Sequence, residues 1–257
     1  MSDGSERVRV HRDGTRATLT WNRPPVNVLD IEMLRELTGA LRSEEVRSAH
    51  VVILRGAGHC WSAGFAVEDH LATQVRAMLD SFRDLLAALG GVPGPILGQV
   101  EGPCLGGGLE LLSACDLAIA AASATFGQPE IRLGVFPLLA AAEMPRALGP
   151  KPAAELLLLG ETVDAARAGS IGLVSRVVPD DALDAEVERV AGRLQGYRHE
   201  ALVLLKRVMR EDRPDRTSRL GFAERVYLDE LMHLPSAEEG LRAFLEKRAP
   251  VWPSAEG

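Results

Sequence analysis

The chain has 257 residues, of which 46% are hydrophobic and 25% charged, and this composition excludes a disordered protein. Its formal net charge is −7, so we expect no broad basic face and no nucleic-acid partner. No apolar run approaches the roughly 18 residues of a membrane span. The polar first residues lack the apolar segment of a secretory signal, so we expect a cytoplasmic protein that does not bind membranes.

The cysteine and histidine patterns argue against a metal site. The three cysteines are Cys60, Cys104 and Cys115, an odd number without a C-x-x-C pair. No histidine has a second histidine or cysteine at ligand spacing. We therefore expect neither a disulfide framework nor a bound metal.

The first strands and the first helix are marked by local signals. Two β-prone runs, 7–10 and 17–21, flank an Asp-Gly dipeptide, a pattern typical of a hairpin. Asp30 then precedes an apolar stripe with helical spacing, which predicts a capped helix that ends near Ser43.

The middle of the chain repeats strand, glycine turn and helix. Residues 51–54 are continuously apolar, as in a strand buried on both faces of a parallel sheet. Further along we predict a helix over 73–89, strands over 95–100 and 116–121, and between these two strands a helix over 109–114. Such repetition favours right-handed βαβ units and a mostly parallel sheet.

Beyond residue 140 the pattern is almost wholly helical, apart from a short strand at 173–178. Helices are predicted to begin near residues 181, 200, 218 and 236. We therefore divide the chain into an α/β core, residues 1–190, and a helical C-terminal region, residues 191–257.

Three consecutive glycines, Gly106, Gly107 and Gly108, stand where a strand passes into a helix. Without side chains they let a ligand approach the unpaired N–H groups of the helix, as in an oxyanion hole or a phosphate cradle. A tight turn explains them equally well. The triplet is neither a P-loop nor a G-x-G-x-x-G dinucleotide fingerprint.

Two carboxylates are candidates for acid–base chemistry. Glu110 lies in the first turn of the apolar helix, with no basic residue near it in sequence, which favours a buried group with a raised pKa. A return turn after the next strand brings Glu130 towards the same end of the sheet. Two carboxylates in one pocket can divide acid and base work. For Glu130 the alternative is an ordinary solvated loop residue.

Taken together, these motifs resemble one family. Gly-Gly-Gly-Leu-Glu ending at Glu110, Ala-Cys-Asp ending at Asp116, and residues 126–130 occur in the order and spacing of the crotonase (enoyl-CoA hydratase/isomerase) superfamily. The resemblance covers nearly the whole chain, from Trp21 to Arg248.

The resemblance implies a fold, an assembly and a substrate. The fold is an α/β spiral of ββα units with a C-terminal helical region for trimerisation, as a homotrimer or a dimer of trimers. The substrate is an acyl-CoA thioester, and no cofactor is implied beyond the coenzyme A of the substrate itself. A thioester on an acyl-carrier protein remains an alternative.

The resemblance also assigns roles to residues. The backbone N–H groups of Phe65 and Gly107 form an oxyanion hole that polarises the thioester carbonyl and holds the enolate. Glu110 activates a water for attack on the β-carbon, and Glu130 gives a proton to the α-carbon. Further substrate contacts are implied at Ala63, Gly64, Gly106, Leu138 and Lys247. For Lys247, which would approach coenzyme A bound at a neighbouring subunit, a solvated helix face is the alternative.

The chain departs from many hydratases at two places. It has Gly64-Phe65-Ala66 where Gly-Ala-Asp is common, and a bulky apolar wall over 137–142 where a glycine-rich turn is common. Together with residues 25–30 and 134–137, this wall resembles the branch that hydrates cyclohexa-1,5-diene-1-carbonyl-CoA. An apolar wall suits a compact alicyclic acyl group.

The expected activity is therefore reversible hydration of an enoyl-CoA, a hydro-lyase reaction. One alternative is a double-bond isomerase, which needs the same oxyanion hole and only one base. Another is a non-catalytic scaffold or RNA-binding member of the fold. Retention of both Glu110 and Glu130 favours hydration, because a single carboxylate is enough to move a proton within the substrate.

Overall fold

In the computed structural model, which describes residues 7–211 and 216–252, the chain forms two β-sheets with helices packed around them. The strands in these residues are β1 (Val8–Asp13), β2 (Arg16–Trp21), β3 (Val51–Gly56), β4 (Ile96–Val100), β5 (Pro103–Leu105), β6 (Leu117–Ala121), β7 (Thr125–Gly127), β8 (Thr162–Asp164) and β9 (Arg176–Val178). The helices are α1 (Ile31–Arg42), α2 (Glu44–Arg47), α3 (Val75–Gly90), α4 (Gly107–Ser113), α5 (Leu138–Ala147), α6 (Pro150–Leu159), α7 (Ala165–Ser170), α8 (Leu183–Gln195), α9 (His199–Glu211), α10 (Arg216–Arg225) and α11 (Pro235–Leu245).

The larger sheet has the strand order β1-β2-β3-β4-β6-β9. β1 and β2 form an antiparallel hairpin, and the remaining neighbours pair in parallel. The predicted hairpin and the mostly parallel sheet are therefore confirmed. The smaller sheet, β5-β7-β8, was not predicted. Each of its strands has three residues, too few to show an alternating pattern.

Helix α1 forms where the capping signal predicts it. The Asp30 side chain accepts a hydrogen bond from the Met33 N–H at 2.7 Å, which satisfies one of the unpaired donors of the first turn. The buried side chains Leu34 and Leu37 lie on one face, and α1 packs against α3. The helix ends at Arg42, immediately before the predicted end.

Both faces of the parallel sheet are covered. In β3, Val52 and Leu54 belong to the main hydrophobic core, whereas Val51 and Ile53 pack on the opposite face with α8. Alternate side chains of a strand point to opposite faces, so a strand buried on both sides has to be continuously apolar. The prediction for residues 51–54 is confirmed.

The C-terminal helices pack against segments that lie between β7 and β8 in the chain. Helix α10 contacts α5, and α11 contacts the short 3-10 turn Pro129–Leu133. A Cβ on Gly240 in α11 would overlap the Leu133 carbonyl, so only glycine permits this approach. Residue 190 lies within α8, and the predicted domain boundary there stays a prediction. None of the helices in the described part of the chain has the length and hydrophobicity that a membrane crossing requires.

Candidate active site

Two loops meet at the carboxyl ends of the parallel strands, where open α/β sheets bind ligands. The loop after β3 is joined to β5 by hydrogen bonds from Ser62 N–H to the Pro103 carbonyl, 3.0 Å, and from Leu105 N–H to the Ser62 carbonyl, 2.9 Å. Because β5 leads directly into the glycine triplet, these bonds fix the loop that contains Phe65 beside the start of α4.

The contact between the loops depends on Gly64. Its φ is +105°, a backbone conformation that residues other than glycine rarely adopt. A Cβ there would lie 3.2 Å from the Leu105 carbonyl oxygen, 3.5 Å from the Gly107 nitrogen and 3.6 Å from the Gly106 Cα. The structure therefore brings Gly64 and the glycine triplet into direct contact.

Two backbone N–H groups at this contact have no acceptor within residues 7–211 and 216–252. The neighbours of Phe65 are held by Leu29: its N–H donates to the Gly64 carbonyl, and its carbonyl accepts from Ala66 N–H. The Phe65 N–H itself stays unpaired. Gly107 is the first residue of α4, so its N–H has no carbonyl in the helix to bond. Such donors are available to a ligand oxygen.

The Glu110 side chain is 1% exposed and lies against the beginning of α5. Its Oε1 accepts a hydrogen bond from Ala140 N–H at 2.9 Å. Burial raises the pKa of Glu110 to about 7, although hydrogen bonds from the Ala140 and Leu139 backbones act in the opposite direction. The apolar wall predicted over 137–142 is thus a helix N-terminus, and α5 begins at the buried Leu138.

Glu130 is also buried, at 9% exposure, so the alternative of a solvated loop residue is wrong. Its Oε1 lies close to the backbone of Gly106, where an added Cβ would be only 2.6 Å away. Gly106 has φ +50° and ψ −130°. The amide nitrogen of the buried Gln128, in the orientation that satisfies both groups, donates to the Glu130 oxygens at 3.1 and 3.3 Å. Burial and the negative charge of Glu110 raise the pKa of Glu130 to about 8.

The two carboxyl groups act on each other electrostatically, and this has a chemical consequence. Two buried carboxylates in one site resist double ionisation, because each negative charge disfavours the other. Such a pair gives up its first proton more readily than its second, so one carboxyl group can be ionised while the other is still protonated. One member can accept a proton while the other donates one.

Aromatic side chains enclose the glycine contact. The Phe65 ring lies on Gly107, where a Cβ would be 2.5 to 2.6 Å from three ring carbons. It packs edge-on against Phe82 at 4.9 Å and lies 6.1 Å from the ring of His70. His70 is buried, its Nδ1 is 3.1 Å from the Ala66 carbonyl, and burial lowers its pKa. The ring of His70 therefore belongs to this aromatic cluster.

A groove of about 460 Å³ runs outside the first loop. Its lining includes Ala63 and Phe65 on one side, Arg23 among the residues after β2, and Phe244 of α11. Its dimensions are those of ordinary small-molecule sites.

Lys247 lies outside this cluster, at the end of α11. Its φ is +52°, and the bonds from Lys247 N–H to the Phe244 carbonyl and from Arg248 N–H to the Ala243 carbonyl close the helix as a Schellman motif. The side chain is exposed, three residues from Phe244 in the groove wall. Its contact with coenzyme A stays a prediction.

The structure brings most of the predicted site residues to one place: Ala63, Gly64, Phe65, Gly106, Gly107, Glu110, Glu130 and Leu138. Two further residues were missed. Gln128 stands inside the 126–130 motif, where its proximity to Glu130 was a usable signal. Tyr227, from the turn after α10, has no distinguishing pattern in the sequence. No group of three or more potential metal ligands occurs in the described parts of the chain.

The chain is similar to known proteins over its whole length. The family profile described as "Enoyl-CoA hydratase/isomerase" matches residues 12–255. The cyclohexa-1,5-dienecarbonyl-CoA hydratase of Thauera aromatica is 36% identical over 256 residues, which cover 98% of this chain and 99% of that protein. A probable enoyl-CoA hydratase of Mycobacterium leprae is 33% identical over 254 residues, covering 97% of this chain and 96% of the relative.

Solved structures give the same result. The crystal structure of an enoyl-CoA hydratase from Mycobacterium avium subsp. paratuberculosis superposes with a TM-score of 0.85 at 26% identity, covering 97% of this chain and 99% of that one. This likeness confirms the predicted α/β fold of the crotonase type. With a family profile over nearly all of its length and relatives above 30% identity, the chain belongs to the enoyl-CoA hydratase/isomerase family.

Proposed function

We propose that this enzyme reversibly adds water to the double bond of an α,β-unsaturated acyl-CoA thioester. The observation that carries the proposal is the buried pair Glu110 and Glu130, two carboxyl groups whose pKa values burial raises, so that one can accept a proton while the other donates one. The unpaired N–H groups on the two facing loops supply the second requirement, a place for negative charge.

The thioester carbonyl oxygen would lie between the Phe65 and Gly107 N–H groups. When water attacks the β-carbon, negative charge moves onto this oxygen as the enolate forms. Donors that are already in position stabilise that charge without rearranging, and removal of one such donor typically costs about 10² to 10³ in rate. The dipole of α4 has its positive end at Gly107 and acts in the same sense.

The carboxylates would then move the two protons. Ionised Glu110 takes a proton from water as the oxygen–carbon bond forms, and the enolate results. Protonated Glu130 gives its proton to the α-carbon, which completes the addition of one water molecule. Glu110 ends protonated and Glu130 ionised, and transfer of the proton between them restores the starting state. The step needs no cofactor besides the coenzyme A of the substrate.

The buried pair favours hydration over the alternatives. Double-bond isomerisation needs one base. In an isomerase the burial of the second carboxyl group would cost free energy without contributing to catalysis. An RNA-binding role is disfavoured by the net charge of −7. A non-catalytic scaffold has no need for two buried carboxyl groups and two free backbone donors in contact.

We further propose a compact cyclic acyl group, as in the Thauera relative. The support comes from the Phe65 ring, which lies on Gly107 and packs against Phe82, and from the buried Leu138, which begins the helix that contacts Glu110. A long flexible acyl chain needs an open exit, whereas bulky apolar side chains suit a compact ring of six carbons.

The substrate proposal predicts a preference between two thioesters. We expect kcat/KM for hydration of cyclohexa-1,5-diene-1-carbonyl-CoA to exceed that for crotonyl-CoA by at least about tenfold, the scale on which apolar pocket fit discriminates. Steady-state kinetics with both substrates measures this ratio. A clear preference for crotonyl-CoA would remove the cyclic substrate and leave the hydratase proposal intact.

We also propose a homotrimer or a dimer of trimers in the cytoplasm, with no nucleic-acid or membrane partner. Support for self-association comes from apolar side chains at least half exposed on the C-terminal helices: Leu204, Leu205, Val208, Met209 and Phe222. Such residues on neighbouring turns form a patch that a second copy can cover.

A further inference from the structure

Tyr227 carries a buried polar group that the mechanism above does not use. The residue is 1% exposed, and its hydroxyl has no hydrogen-bond partner within residues 7–211 and 216–252. An unpaired buried hydroxyl costs free energy, and native proteins contain few of them. An orphaned donor at this depth therefore points to an acceptor that arrives with a ligand.

The ring of Tyr227 packs next to the segment that leads into the helix contacting Glu110. Tyr227 packs edge-on against Phe136, with ring centroids 5.2 Å apart. Phe136 stands two residues before α5, the helix whose first turn binds Glu110. Burial raises the pKa of Tyr227, and the negative charges of Glu130 and Glu110 raise it further, so its hydroxyl keeps its proton.

The backbone at Tyr227 is also irregular. Residues Val226–Glu230 form a π-helical turn that continues α10, and α10 packs against α5. Single π-helical turns inside α-helices are rare and occur frequently at functional sites, because they change the direction of a side chain. Here the turn carries Tyr227.

We propose that the Tyr227 hydroxyl donates a hydrogen bond to the oxygen atom that the enzyme adds to its substrate. This inference rests on the proposed hydration. The attacking water gives one proton to Glu110 and one lone pair to the β-carbon, so its second lone pair is available to Tyr227. In the reverse reaction the same donor stabilises the negative charge on the departing oxygen. Tyr227 thus contacts the β-hydroxyl of the product.

The test compares two ligands that differ only in this hydroxyl. β-Hydroxybutyryl-CoA and butyryl-CoA are titrated by calorimetry into the wild type, Tyr227→Phe and the control Tyr197→Phe, whose hydroxyl lies at the surface beside Arg193. We expect Tyr227→Phe to bind the hydroxylated ligand about tenfold more weakly, the usual scale of one hydrogen bond. Its affinity for butyryl-CoA stays within about twofold, and Tyr197→Phe behaves as wild type.

Two further readouts separate this role from a structural one. The thermal midpoint of ligand-free Tyr227→Phe equals or exceeds that of the wild type, because an unpaired buried hydroxyl has been removed. Its kcat for hydration falls by about 10- to 100-fold with little change in KM. Equal affinity changes for both ligands, or none, would overturn the inference while hydration by the wild type continues. If the wild type hydrates neither crotonyl-CoA nor cyclohexa-1,5-diene-1-carbonyl-CoA, the proposed function itself fails.

Discussion

Replacing Glu110 or Glu130 by glutamine is expected to lower kcat for hydration by about 10² to 10⁴, the usual contribution of a positioned general acid or base. The substitution keeps the size and shape of each side chain. In Glu110→Gln the amide oxygen can still accept from Ala140 N–H, so the start of α5 is retained. What is lost is the group that exchanges a proton, and KM is expected to change little.

The control is Glu161→Gln, which changes an exposed glutamate outside the site and is expected to keep full activity. The double variant should be little worse than the poorer single one, since residues that act as a unit are not additive. If either single variant retained more than half of the wild-type kcat, the division of acid and base work between the two carboxylates would be wrong.

The second large effect concerns stability. Both glutamates have a folded-state pKa above the ordinary value of 4.5, so the folded protein binds more protons than the unfolded chain in this range. Their contribution to the free energy of unfolding is fully present below about pH 4.5 and is lost as pH rises through about 7 to 8. Wild-type protein is therefore expected to lose stability across this window.

A glutamine cannot ionise, so each substitution removes part of this loss. At about pH 8 we expect Glu110→Gln to be more stable than the wild type by about 2–4 kcal/mol, from about 1.4 kcal/mol for each pKa unit. Near pH 4.5 the two should differ little. Urea unfolding at both pH values measures the difference. Burial lowers the pKa of His70, which makes the folded state more stable as pH rises, but His70 is present in both proteins and its effect cancels in the difference. A constant difference between the variants at all pH values would contradict the raised pKa of Glu110.

Much of the fold followed from local signals. The Asp30 cap, the apolar run of β3 and the glycine triplet are patterns that depend on neighbours in sequence. The smaller sheet did not, because strands of three residues are defined by their partners rather than by their own composition. Tertiary pairing, which no single stretch of sequence contains, makes β5, β7 and β8 into strands.

The site was predictable to the same extent. Glu110 was predicted to be buried from its apolar neighbours, and the structure agrees. The apolar residues after Pro137 were interpreted only as a wall, whereas they begin a helix whose amides contact Glu110. Tyr227 was missed altogether. Its approach to the site depends on how α10 packs against α5 and on a π-helical turn, neither of which has a signal in one sequence.

The proposed reaction can be tested most directly by following the oxygen atom. An enoyl-CoA is incubated with the enzyme in water labelled with a heavy oxygen isotope, and the product is analysed by mass spectrometry, with Glu110→Gln as the control. We predict a hydroxyacyl-CoA that carries one labelled oxygen, formed by the wild type and nearly absent with the variant. A product whose double bond has moved but which contains no labelled oxygen would contradict hydration and identify the enzyme as an isomerase.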